Sequence, residues 1–192
     1  MAFDALETAV AAAKFVQKNR AKSLVLLLAF TALVSLAAGI IDKFVFVLLV
    51  AAELVLAFFL GEWQLRKIGI ELVTFVTVLV GFAYGPSAGL AIGGALVALH
   101  FVLARNLGPH LVYCVPAMAV VGFVAGYHAT LPFGGVALTG VALSALYNLL
   151  TGAAGTLMFN DLPDEAIWGG SNFLLNYMLF TLVAPAVVAA LL

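Results

Sequence analysis

Charge is what this chain has least of. Of its 192 residues only 9% are Asp, Glu, Lys or Arg, against 66% hydrophobic, and the mean hydropathy is +1.23. A soluble domain of this size carries about a quarter charged residues. The composition therefore excludes one and indicates a polytopic membrane protein whose first partner is the lipid bilayer. The net charge of -1, with no basic patch outside the N-terminal segment, gives no sign of a nucleic-acid partner, and none is expected. A single cysteine, Cys114, excludes an internal disulfide and a cysteine-based metal site, and reads as a small apolar residue in a span. The three histidines are dispersed and form no His-Glu-x-x-His motif, so no metal or other cofactor is expected. No Gly-x-x-x-x-Gly-Lys loop is present, so the chain is not expected to hydrolyse ATP by itself. No serine can be assigned a base, and the chain reads as a non-enzyme. The N-terminus lacks a positive region followed by a cleavable apolar core, so insertion is expected to use the first span.

What is abundant is glycine at a regular spacing. Gly81, Gly85, Gly89 and Gly93 recur every four residues, which puts small residues on one helical face. They fall within Ile68 to Ala104, 37 residues whose only charge is Glu71. One helix of that length would run roughly 55 Å, against about 30 Å of bilayer hydrocarbon. The stretch is therefore expected to fold as two antiparallel spans, Ile68–Tyr84 and Ser87–Ala104, turning at Tyr84-Gly85-Pro86-Ser87.

Taken in order, residues 1–22 read as an amphipathic interfacial helix. Phe3, Leu6, Val10 and Ala13 share one face, and the pattern suits lipid or a partner protein. A single transmembrane helical domain, 23–192, follows. Its spans are expected near 23–41, 44–60, 68–84, 87–104, 111–127, 133–159 and 170–192, with Asn160–Glu165 as an acidic loop. The fold class is all-α, with about seven transmembrane helices. With the N-terminus cytoplasmic, seven of the eight Lys and Arg residues fall inside and only Lys43 outside. Trp63 and Trp168 then land at the inner interface of the cell membrane.

Polar groups inside spans are expensive and so are candidate sites. Glu53 lies near the middle of the second span, where an acidic residue costs about 2.5–3.5 kcal/mol. It should be protonated, paired or facing an aqueous cavity. Glu71, Thr74, Thr77, Gly81 and Tyr84 step by three or four and form a stripe. Glu71 and His100 are each fifteen positions, inclusive, from their own turn residue, Gly85 and Pro86. Equal depth makes a Glu71–His100 pair, or a shared polar cavity, the expectation. Ser144, Tyr147, Asn148 and Thr151 mark the sixth span, and Asn172, Asn176 and Tyr177 the seventh. Such side chains suit a small polar or aromatic solute, and equally serve as interhelical glue. Gly122, Gly126, Gly152 and Gly155 read as packing contacts.

At Tyr84-Gly85-Pro86 with Gly89 and Gly93, after the polar stripe, the sequence resembles substrate-binding S components of energy-coupling factor transporters. The resemblance covers about Gly69 to Phe101; the other helices share only the hydrophobic pattern. It implies a vitamin or other micronutrient held between helices, with an ATPase and other membrane subunits supplied by separate chains. Ala29, Ala32, Ser35 and Gly39 would form the docking face. Those proteins usually have six spans and both termini cytoplasmic, unlike the seven spans read here. The expected function is thus a solute-binding transporter subunit, and the alternative a non-catalytic structural or assembly subunit of a membrane complex. An intramembrane enzyme using Glu53, Glu71 or His100 ranks below both. If solute is bound, Glu53, Tyr147, Asn148 and Asn176 should converge on an enclosed cavity. A dry, fully packed interior would sink the transporter reading and favour the structural subunit.

Overall fold

The computed structural model describes residues 19, 22, 44–63, 65, 68–159 and 162–191. The interfacial helix, the first span with its docking face, the Asp42-Lys43 loop and the Arg66-Lys67 pair lie outside these, apart from Asn19 and Lys22. Among the described residues every regular element is helical. In chain order they are α1 (Phe44–Glu62), α2 (Val73–Tyr84), α3 (Pro86–Leu103), α4 (Leu111–Ala125), a 3-10 turn (His128–Thr130) and α5 (Val136–Phe159). A last helical run comprises α6 (Leu162–Met178), a π-helical turn (Leu179–Val183) and α7 (Ala184–Leu191). Among the described residues four helices are long and apolar enough to cross a membrane: α1, α3, α5 and the continuous run Leu162–Ala189. The apolar helices α2 and α4 are shorter, at 12 and 15 residues. Large apolar side chains such as Leu157, Leu182, Val112 and Leu149 are 71–85% exposed, which suits a lipid environment.

The hairpin forms where glycine and proline each do what the turn requires. Gly85 takes φ 89°, a conformation open mainly to glycine, and closes α2 by donating its N–H to the Gly81 carbonyl. Pro86 then starts α3 at the first helical position, where a missing N–H costs nothing. The glycines seal three helices rather than two. A methyl on Gly89 would overlap the Gly122 carbonyl of α4, and one on Gly81 would meet Ala125 Cβ. The most extensive interface is accordingly α3 against α4. Of the further glycines, Gly122, Gly126 and Gly155 sit in close contacts, whereas Gly152 faces open space.

Two expected boundaries move. The third span does not begin as helix at Ile68, because Ile68–Leu72 is a non-helical strap. Gly69 in it lies so close to α6 that a methyl would overlap the Trp168 carbonyl. The last helix begins at Leu162, not near Gly170, so Asp164 and Glu165 belong to its first turn rather than to a loop. There acidic side chains complement the helix dipole. Further along, Pro185 cannot donate to the Thr181 carbonyl, and the π-helical turn just before α7 absorbs the break. Fully buried Phe180 of that turn fills the notch left by Gly140 and packs on Phe75, centroids 5.2 Å apart.

Candidate functional site

The strap sets the polar interior, because buried backbone without helix must find partners elsewhere. Gly69 N–H donates to Ser171 Oγ (2.8 Å), and the Gly69 carbonyl accepts from Asn172 Nδ2 (3.2 Å). Leu72 N–H donates to Glu53 Oε2 at 2.5 Å. Side chains from α1 and α6 thus replace the missing helical bonds. Glu71, at the end of the strap, caps α2: its carboxylate accepts from Thr74 N–H (3.1 Å) and Thr74 Oγ1 (2.7 Å). Asn172 Nδ2 also donates to Glu71, at 2.7 Å.

His100 does not bond Glu71 as expected. Its Nδ1 lies 2.5 Å from Glu53 Oε1, on α1. Equal depth did not decide azimuth: α1 packs on α3 and brings Glu53 to the histidine, while Glu71 turns to α6. Whichever member carries the proton, neither Glu53 nor His100 is left facing hydrocarbon. Both are buried, at 0% and 7% exposed.

Asn172 is the hub of the remaining network. Its Oδ1 accepts from Asn148 Nδ2 (2.9 Å) and Asn176 Nδ2 (3.3 Å), so α5 and α6 are tied to the strap through one side chain. Asn148 Oδ1, Asn176 Oδ1 and Ser144 Oγ find no hydrogen-bond partner among the described residues. Tyr147, buried as expected, bonds Cys114 and packs edge-on against Trp168, centroids 6.1 Å apart. Thr77 takes another direction from the stripe, its methyl lying beside Gly93 and Gly122. Tyr84 is apart from the network. It is partly exposed at the hairpin turn against Phe46, about 16 Å along the axis from Val73. Of the expected site residues, Glu53, Glu71, Thr74, His100, Asn148, Asn172 and Asn176 therefore meet in two linked clusters. Tyr147 lies beside them.

A cavity of about 400 Å³ opens elsewhere, where α3 ends, α4 and α6 begin and α5 ends. Its inner wall is the buried set Phe101, Cys114 and Thr151; Tyr113, His110, Phe159 and Trp168 supply further rings. Asn106, Pro109, Asp164 and Glu165 complete the lining. Neither Glu53, Asn148 nor Asn176 lines it, and Tyr147 reaches it only through Cys114 and Trp168. Trp168 is thus a half-buried cavity wall. The local fold makes the site. Arg105 takes φ 57° and closes α3 with the paired bonds Asn106 N–H to Phe101 O (2.9 Å) and Arg105 N–H to Val102 O (3.3 Å). That turn aims the Asn106 carbonyl at His110 Nε2, 2.8 Å away. Burial holds the His110 pKa below its ordinary value, although the Asn106 carbonyl pulls the other way, so the ring is neutral at pH 7. Tyr113 Oη donates to Glu165 Oε1 (3.0 Å) and ties α4 to α6 across the cavity. Arg105 points away and pairs with Glu62 at 3.2 Å.

Its volume falls in the range of small-molecule sites, about 300–1,000 Å³. The sequence did not single out Asn106, Pro109, His110, Asp164 and Glu165 because they lie in apparent loops, and it gave no sign that Phe101, Tyr113 and Phe159 of three different spans share a cavity. The signal for α6 was Leu162-Pro163-Asp164-Glu165, proline followed by acids, which marks a helix start. Among the described residues no group of three or more His, Cys, Asp or Glu could hold a metal ion. No family model, curated protein or solved structure matches the chain.

Proposed function

We propose that this chain is a membrane-embedded solute-binding subunit of a small-molecule transporter that draws its energy from partner chains. The observation carrying the reading is the ring-lined cavity of about 400 Å³ where four of the described helices end or begin. The resemblance around Tyr84-Gly85-Pro86 to S components of energy-coupling factor transporters supports the same conclusion. In this reading α2 and α4 also traverse the bilayer, α2 with the help of its strap. The strap's non-helical backbone is tolerated at that depth because Glu53, Ser171 and Asn172 satisfy it. The described helices then form six spans, and the span read at 23–41 would make seven, one more than is usual in that family. The N-terminus lies in the cytoplasm by the positive-inside rule.

A second reading, a structural or assembly subunit, is favoured by one observation. Glu53, Asn148 and Asn176 do not line the cavity; Glu53 and Asn148 are bonded to neighbouring helices, as glue would be, and Asn176 is bonded to Asn172 of its own helix. Native mass spectrometry of the purified protein separates the two. The transporter reading expects a retained small molecule and an ATPase-bearing complex. A protein free of small molecules and joined to a different membrane assembly would overturn it.

A further inference from the structure

The cavity is walled in rings. Leu, Val and Ala dominate α3, α4 and α5, yet each of these helices turns a ring to it: Phe101, Tyr113 and Phe159. From α6 comes Trp168, and the imidazole of His110 stands beside them. Each ring is fixed by a neighbour. Phe101 is buried and meets His110 edge-on, centroids 4.7 Å apart. Tyr113 is tied through its hydroxyl to Glu165 and leans on Phe159, centroids 6.2 Å apart. Trp168 rests edge-on against fully buried Tyr147, centroids 6.1 Å apart.

Rings fixed before a solute arrives lose little freedom on binding it. A planar π-system placed among them makes offset-stacked and edge-to-face contacts that a saturated ring of the same size cannot make. Such contacts change affinity about 2- to 12-fold per ring pair. Resting on the solute site proposed above, we infer that the cavity selects a solute carrying a planar aromatic ring over one with a saturated body. The discrimination comes from the ring, whatever charge the rest of the solute carries.

Trp168 reports on the site directly, since the chain has two tryptophans and Trp63→Phe leaves Trp168 alone. Two neutral probes of equal carbon count, benzyl alcohol and cyclohexylmethanol, are titrated into the Trp63→Phe protein in detergent. The saturated alcohol is the more hydrophobic, so partition into detergent or burial of apolar area alone would rank it first. Benzyl alcohol is instead expected to change Trp168 emission saturably, half-saturating at a concentration at least about threefold lower. Phe159→Leu, at the exposed end of α5, keeps an apolar side chain and removes one ring. There the preference should shrink by about twofold or more, and Phe159→Tyr should retain it. Equal or reversed binding, or a preference that Phe159→Leu leaves untouched, would overturn the aromatic class and leave the solute site standing. No saturable response to either alcohol would overturn both.

Discussion

Two regions of this protein hold polar side chains, and they use them in opposite ways. In the interior, Glu53, His100, Glu71 and Asn172 spend their hydrogen-bonding capacity on one another and on the backbone of the strap. At the end of the bundle, Asp164, Glu165, His110 and Tyr113 border open volume. The costliest residues by position, the mid-span carboxylates, are mortar. The cheaper ones, near helix ends, are arranged around a space. In a membrane protein, expense alone therefore does not locate the site; what a polar group faces does.

The sharpest way to break this contrast is to remove one carboxylate from each region. Glu53→Leu leaves His100 and the Leu72 N–H buried without their partner, and should cost about 3 kcal/mol or more of stability. That lies well above the roughly 0.6 kcal/mol of an average hydrogen bond between membrane helices. Glu165→Leu should cost less, about 1 kcal/mol for the loss of its bond to Tyr113. Thermal unfolding in a fixed detergent measures both; similar losses would erase the distinction. Next in size is Asn172→Ala, which frees Glu71 and the Gly69 carbonyl and should cost about 1–3 kcal/mol in the same assay. A neutral result would mean the hub is dispensable.

The smallest effect is a dependence on pH. Burial lowers the His110 pKa in the fold. As pH falls below the unfolded value of about 6.5, the unfolded chain takes up a proton that the folded chain refuses. Stability attributable to His110 is therefore present above that pH and lost as pH falls toward the folded-state pKa. His110→Asn should flatten the fall in melting temperature between pH 7 and 5 relative to the native protein. An unchanged slope would mean that His110 is not held neutral.

What the sequence made legible is local. The hairpin turn follows from Gly85 and Pro86, each suited to one backbone position, and the close glycine packing follows from spacing. The membrane character follows from composition, and four of the helices meet it in length and hydropathy. The strap at Ile68–Leu72 was not legible. Its isoleucines read as more span, and the groups that satisfy its backbone lie 19 to 103 positions away, on α1 and α6. Glu71 and His100 bond to different partners, because spacing from a turn says nothing about a third helix. The cavity is assembled from the ends of four helices, and only the tertiary fold brings Tyr113 to Glu165.

In the proposed function, solute sits in the end cavity and not in the polar interior. Native mass spectrometry of the unaltered protein, Trp168→Ala and Asn176→Ala, compared side by side, tests it most directly. The account predicts a small molecule retained by the unaltered protein and by Asn176→Ala, and lost from Trp168→Ala. Retention by Trp168→Ala with loss from Asn176→Ala would contradict it.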